Sequence, residues 1–190
     1  MRIIGGQFRG LHLASVGAGD ANAHLRPTSD RVRESIFNLL INGGYGDPLT
    51  GANVLDLFAG TGALGLEALS RGAETLTLVD SGSKARALIQ RNIELCRASD
   101  RATFLSRDAT RLGLHSGSRF SLIFMDPPYK KDLGARTLEA VVKGGWLAPD
   151  PLIVWEEGQK QQAPDGFELL DARRYGDTWV HILTGSGGEG

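Results

Sequence analysis

Residues 54–65 read Val54-Leu55-Asp56-Leu57-Phe58-Ala59-Gly60-Thr61-Gly62-Ala63-Leu64-Gly65. An apolar run, Val54 to Phe58, leads into a glycine loop, and a helix is predicted from Ala63 to Arg71, stopped by Gly72. The same rhythm repeats downstream. Thr75 to Val79 reads as a strand ending at Asp80, and a long helix follows from about Ser83 to Arg97. Thr103 to Leu105 is a short strand, and Phe120 to Met125 a longer one opening into Asp126-Pro127-Pro128-Tyr129. A helix over Leu133 to Val142 and a strand over Leu152 to Trp155 follow, and Phe167 to Tyr175 with Thr178 to Leu183 form a hairpin turning at Gly176-Asp177. Strands alternating with helices pair in parallel through right-handed crossovers. The expected fold is therefore α/β: a doubly wound, mostly parallel sheet with an antiparallel hairpin at its C-terminal end. Ligands in such sheets bind at the carboxyl ends of the strands, just after Phe58, Val79, Leu105 and Met125.

Upstream, Arg2 to Ala14 reads as a short hairpin around Gly5-Gly6. Arg26-Pro27-Thr28-Ser29-Asp30 suits the start of a helix, where proline fixes the approach and a Thr, Ser or Asp oxygen caps. Val32, Ile36, Leu39 and Leu40 recur at helical spacing until Gly43-Gly44. The expected organisation is an N-terminal hairpin-and-helix extension over 1–50, an α/β domain over 51–184 and a flexible tail over 185–190.

The chain has 190 residues, 41% of them hydrophobic, enough for one domain with a real core. A single cysteine, Cys96, rules out an internal disulfide and a cysteine-cluster metal site, and the four histidines show no ligand spacing, so no metal is expected. The first residues lack the apolar stretch of a signal sequence, and no run of about 18 apolar residues suggests a membrane span. Cytoplasmic location is the expectation. Lys and Arg number 21 against 22 Asp and Glu, for a net charge of −1. That average argues against a dedicated nucleic-acid coat, but it hides an uneven distribution: acids stand at the strand ends and arginines near the N-terminus.

Gly60, Gly62 and Gly65 satisfy G-x-G-x-x-G with Asp80 about 20 residues beyond, the pattern of a dinucleotide site. One detail shifts its meaning. Asp56 stands four residues before the first glycine, where a carboxylate suits an ammonium group better than a pyrophosphate. Asp80 suits the two hydroxyls of a ribose, and Asp108, in Arg107-Asp108-Ala109, can accept from an adenine amine. A ligand with a cationic end, a ribose and an adenine is S-adenosyl-L-methionine. The expected cofactor-binding residues are Asp56, Phe58, Gly60, Gly62, Asp80, Asp108 and Ala109. An aspartate after a strand also serves as a helix cap, and for Asp108 the two roles are equally open.

Asp126-Pro127-Pro128-Tyr129 is the most specific tetrapeptide in the chain. Two prolines cannot continue a strand, so the backbone leaves the sheet rigidly and the Pro127 carbonyl stays free as an acceptor. An exocyclic amine on a nucleobase needs two acceptors and a face to stack on. Asp126, the Pro127 carbonyl and Tyr129 supply them, which makes Asp126, Pro127, Pro128 and Tyr129 the expected catalytic residues.

These motifs, together with Arg2-Ile3-Ile4-Gly5-Gly6-Gln7-Phe8-Arg9-Gly10, Arg26 to Phe37 and Leu64-Gly65-Leu66-Glu67-Ala68-Leu69-Ser70-Arg71-Gly72, resemble the RsmD-type 16S rRNA guanine-N2 methyltransferases. The likeness spans Arg2 to about Leu183; Ser29 and Asp80 stand where many relatives carry Thr and some carry Glu. It implies a Rossmann-like S-adenosylmethionine-dependent methyltransferase fold and methylation of the N2 amine of one guanine in 16S rRNA. It implies as substrate the 30S subunit or a late assembly intermediate, and the enzyme is expected to act as a monomer, without membrane or metal. Arg2, Arg9, Arg26, Arg31 and Arg33, with His12, His24 and Phe8 among them, are expected to meet RNA, and Lys130 and Lys131 to add charge at the pocket rim. Two other readings share part of the pattern. A DNA adenine-N6 methyltransferase shares Asp-Pro-Pro-Tyr but usually carries a separate recognition domain, and an NAD-binding oxidoreductase leaves that tetrapeptide without a role.

Overall fold

The apolar run before the glycine loop forms β1 (Asn53–Leu57), whose last four residues are buried. The computed structural model describes residues 1–15, 28–129 and 132–185. In it β1 pairs in parallel with β2 (Thr75–Asp80) on one side and β4 (Phe120–Met125) on the other. β3 (Ala102–Ser106) extends the sheet beyond β2, and β5 (Leu147–Glu157) extends it beyond β4, both in parallel. β6 (Phe167–Tyr175) and β7 (Thr178–Gly185) form an antiparallel hairpin that adds through β7 to β5, giving the order β3-β2-β1-β4-β5-β7-β6. Gly176, at φ +63°, supplies the left-handed turn of that hairpin.

Among the described residues four helices cover the sheet: α1 (Asp30–Asn42), α2 (Ala63–Ser70), α3 (Ser83–Leu95) and α4 (Leu133–Lys143). Ser29 caps α1, its hydroxyl accepting from the Val32 N–H at 3.2 Å. Successive strand residues point to opposite faces. Val54, Leu76, Leu78, Leu122, Phe124 and Val154 pack on one face against residues of α1, α2 and α3, among them Phe37, Leu66 and Ile89. Leu57, Val79, Ile123, Met125, Ile153 and Trp155 pack on the other against Leu138 and Val141 of α4 and against Trp146.

The N-terminal hairpin belongs to the first of these cores. A lone pair of short strands is marginal in water, and here one antiparallel bridge, Arg2 to His12, holds the two arms. Docking supplies the rest. Ile3 and Leu13 are buried in the same cluster as Phe37 and Leu66, at about 1.5–3 kcal/mol each. The buried Glu67 of α2 accepts from the Ile4 and Gly5 N–H groups, both at 2.8 Å. Ser70 donates to the Gly5 carbonyl at 2.6 Å and accepts from the Phe8 N–H at 2.9 Å. Asn92 of α3, fully buried, accepts from the Ala14 N–H and donates to the Ala14 and Thr61 carbonyls.

β5 differs most in length from its sequence-based expectation, while β3 and β7 are each two residues longer than expected. β5 begins at Leu147, not Leu152, and ends at Glu157, not Trp155. Pro149 and Pro151 remove ladder donors, and the pairing with β4 shifts between Phe120–Leu147 and Leu122–Leu152, an irregularity that accommodates them. Asp150 stands there at φ +49°.

Candidate active site at the strand ends

Register levels the parallel strands at their carboxyl ends. Leu57 is paired with Val79 and Met125, Val79 with Leu105, and Met125 with Trp155. The next residues, Phe58, Asp80, Ser106, Asp126 and Glu156, therefore form a row along one edge. The Asp126 N–H continues the ladder by donating to the Leu57 carbonyl at 3.4 Å. Asp56 lies two residues inside this row, level with Leu78 and Phe124. By strand alternation Asp56, Asp80 and Glu156 share the face covered by α1 to α3.

The glycine loop is shaped by what approaches it. Phe58, at φ +58°, is a non-glycine residue in left-handed conformation, a strain of about 1–3 kcal/mol that clusters at functional sites. Gly65 lets α2 sit close on β1: an added Cβ would lie 2.5 Å from Leu76 Cδ1 and 3.0 Å from Asp56 Oδ2. That closeness brings the Gly65 N–H to Asp56 Oδ2 at 2.9 Å. Asp80 is held by two backbone donors, Gly60 N–H to Oδ2 at 3.0 Å and Gly82 N–H to Oδ1 at 2.8 Å. Each oxygen keeps lone-pair capacity for a hydroxyl. Asp108 caps the short helical turn Ala109–Arg111, with Oδ1 accepting from both the Thr110 N–H and hydroxyl. Those bonds hold its carboxyl below the usual range. Ala109 beside it is buried.

The acids at the edge are electrostatically frustrated. Burial pushes Asp56 up to about 8 against the pull of the Gly65 N–H, and the charges of Asp126 and Asp80 push the same way. Burial, then the Glu157 charge, pushes Asp126 up to about 7. Glu156 is carried well above the ordinary glutamate range by burial and then by Asp126. Burial likewise raises Glu157. Carboxyls that are costly to ionise and lie side by side form a site for a cation. A ligand bearing sulfonium and ammonium groups would relieve that cost, and Asp80 is placed for a ribose. The residues present fit S-adenosyl-L-methionine.

Pro127 is buried and Pro128 exposed. The Tyr129 ring packs on Gly158, where an added Cβ would lie 3.0 Å from ring Cδ2, and its hydroxyl meets Thr178 Oγ1 at 3.2 Å. Burial raises that hydroxyl above its ordinary value. The ring is thus held on the β5–β7 side of the row.

The expected RNA-facing residues divide. Arg2, Arg9 and Arg31 are exposed and line one cleft of about 320 Å³ between the hairpin and the start of α1, with Asp30 and Glu34 among them. Arg33 does not face outward, and its expected RNA contact is corrected. It is fully buried, donating to the Arg2 carbonyl and to Asp30 Oδ1 at 3.0 Å, with Glu67 3.6 Å away. It lies three, four and seven residues before Ile36, Phe37 and Leu40, on the buried stripe of α1. Arg26, His24, Lys130 and Lys131 lie outside the described residues. Sequence reading missed Glu156, Glu157 and Thr28, whose hydroxyl donates to Glu156 at 3.2 Å. The rule that placed Asp126 after Met125 finds Glu156 as well when it is applied after Trp155.

Among the described residues no helix is long and apolar enough to cross a membrane, and no group of three or more His, Cys, Asp or Glu is placed to hold a metal ion.

A level edge of acids above a glycine loop, on a seven-stranded sheet with its last strands antiparallel, defines a Rossmann-like S-adenosylmethionine-dependent methyltransferase. The family model described as Conserved hypothetical protein 95 matches residues 1–184, and the chain belongs to that family, the RsmD-type methyltransferases. YlbH of Bacillus subtilis (strain 168), provisionally an rRNA methyltransferase, is 38% identical over 189 residues, covering 96% of this chain and 97% of YlbH. Ribosomal RNA small subunit methyltransferase D of Escherichia coli (strain K12) is 36% identical over 164 residues, 86% of this chain and 78% of the relative. Among solved structures, yhhF of Escherichia coli, provisionally a methyltransferase, matches with a TM-score of 0.80 at 32% identity, over 99% of each chain.

Proposed function

We propose that this protein methylates the exocyclic N2 amine of a guanine in 16S rRNA, on the 30S subunit or a late assembly intermediate. It acts as a monomer in the cytoplasm. The name of the Escherichia coli relative supports the small-subunit rRNA as substrate. Asp126 carries the choice of an amine: a half-buried carboxyl at a strand end, next to two prolines that leave the Pro127 carbonyl unused by the sheet.

Bound S-adenosyl-L-methionine supplies a methyl group already electrophilic on its sulfonium. Asp56, Phe58, Gly60, Gly62 and Asp80 would hold it, with Asp108 and Ala109 at the adenine side. The residues of the chain have to align the acceptor and exclude water. The guanine amine is a poor nucleophile because its lone pair is delocalised into the ring. Hydrogen bonds from the amine to Asp126 and the Pro127 carbonyl favour a pyramidal nitrogen, and the Asp126 charge stabilises the positive charge that develops there. The base leaves its stack at a cost of a few kcal/mol, and stacking on Tyr129 would offset about 1–3 kcal/mol of it. Residues 1–50 serve docking and the pocket mouth, and residues 51–184 the chemistry. Arg2, Arg9 and Arg31 line a cleft suited to phosphates, with Arg26, Lys130 and Lys131 as further contacts.

Tritiated methyl transfer tests the proposal, with 30S particles lacking the modification as substrate and naked 16S rRNA and DNA as controls. Label in N2-methylguanosine from the particles is the expected result. Label in adenine, or in DNA alone, overturns it.

A further inference from the structure

β4 and β5 end side by side with a carboxyl on each. Met125 pairs with Trp155, so Asp126 and Glu156 are the next residues on parallel strands about 4.8 Å apart. Glu156 is 3% exposed, whereas Asp126 is partly open to solvent. The groups facing Glu156 come from every element around it. Asp126 comes from the end of β4, Asp56 from β1, Tyr129 from the turn after β4, Thr28 from the segment before α1 and Arg33 from α1, while Glu157, next on β5, points to the opposite face. Among the described residues Arg33 is the one cation in that set; its Nη2 bonds Asp30 and the Arg2 carbonyl, its Nε lies 3.6 Å from Glu67, and it makes no hydrogen bond to Glu156. Thr28 contributes a neutral hydroxyl, 3.2 and 3.4 Å from the two Glu156 oxygens. Adjacent buried carboxyls without a cation of their own cannot both ionise, and one keeps a proton.

We propose that Glu156 is a positioning residue for Asp126: the two carboxyls share one proton across the ends of β4 and β5, and the proton on Glu156 holds Asp126 in its ionised, accepting form. The direction of the shifts agrees, since Glu156 is driven well above its ordinary range while Asp126 is raised only to about 7. The more buried partner keeps the proton, and the one open to substrate loses it. In the transfer reaction the N2–methyl bond forms as the sulfur–methyl bond breaks, with that bonding pair remaining on sulfur. The amine proton passes to Asp126; the pair then holds two protons and returns one to water. This step rests on the amine-methylation reading, but the shared proton does not.

The test therefore has two arms. In the first, apoprotein carries carbon-13 at its glutamate carboxyl carbons. One signal should remain at the protonated position from pH 6 to 8 and be absent from Glu156→Gln. If every glutamate signal is already that of a carboxylate at pH 6, the proposal is overturned. The second arm is single-turnover methyl transfer against pH. Glu156→Ala loses the donor, and a rise of about one unit in the Asp126 midpoint slows transfer about fivefold at pH 7 and less than twofold at pH 8.5. Glu156→Gln keeps a neutral N–H donor and stays within about twofold of wild type at both. A loss of equal size at every pH, in either variant, marks a merely structural residue and overturns the proposal. Should the alanine variant not fold, the glutamine variant and the resonance carry the test. Wild-type protein that methylates no RNA guanine defeats the functional reading alone, because the first arm needs no substrate.

Discussion

A carboxyl accepts with both oxygens, and stabilises positive charge on an amine, only in its ionised form, and Asp126 stands where ionisation is costly. With burial and Glu157 raising it to about 7, its accepting form is half populated at neutral pH. Transfer should therefore fall as pH drops through 7, and Asp126→Ala should lower it by at least ~100-fold while the cofactor dissociation constant moves only a few fold. Single-turnover kinetics and calorimetry on the variant separate the two effects. Asp56 shows the same physics as stability. Its carboxyl stands at about 8 folded against an ordinary 3.8, so between those limits the folded state holds more protons. The stability it contributes is full below the lower value and lost as pH rises towards the upper one. Asp56→Asn keeps a carbonyl for the Gly65 N–H and has no such loss. Its Tm should match wild type near pH 4 and exceed it at pH 8, in thermal melts of the apoprotein. Equal melting temperatures at pH 8 would contradict the raised carboxyl.

At the scale of elements, the strands that the sequence made legible are those whose apolar runs are bounded by turn-forming residues. β1 ends at its glycine loop, β4 at Pro127, and β7 begins after Gly176-Asp177, and each is found within a residue or two of its expected limits. β5 was legible only in its middle, because Pro149 and Pro151 mimic a boundary and two glutamates look like its end. The site was read unevenly as well: the acids at the ends of β1, β2 and β4 were taken up, and Glu156, next after the expected end at Trp155, was passed over. Arg33 was misread for a different reason. Charge is a sound guide to exposure until a partner is buried with it, and that partner, Glu67, lies 34 positions away on α2. Glu67 joins three elements, since it also accepts from Arg71 at 2.8 Å and from the Ile4 and Gly5 N–H groups. Removing one member of a buried ion pair leaves the other uncompensated. Glu67→Ala should thus cost about 3–5 kcal/mol in urea unfolding, a large part of a domain's total. A loss below about 1 kcal/mol would mean the clamp is dispensable.

Over the whole molecule a net charge of −1 conceals an uneven distribution of charged residues. Carboxyls gather where the parallel strands end, and Arg2, Arg9 and Arg31 gather around the cleft between hairpin and α1. The core joins these regions, because the hairpin is docked on α2 and α3 through Glu67, Ser70 and Asn92. Deleting residues 2–14 would expose the partners of Ile3 and Leu13 and leave Glu67 and Asn92 without their backbone partners, so lost RNA binding in such a deletion would report unfolding. Point substitution keeps the core. Each arginine that neutralises a phosphate contributes about 0.7–0.9 to the slope of log affinity against log salt. Replacing Arg2, Arg9 and Arg31 together by Gln should therefore flatten that slope by about 2 and weaken binding to the rRNA substrate at low salt. Cofactor affinity should stay unchanged, since the acids of the strand ends are untouched. Fluorescence anisotropy over a salt series reads the slope, and calorimetry reads the cofactor. An unchanged slope would move the docking surface away from this cleft while leaving the chemistry at Asp126 where it stands.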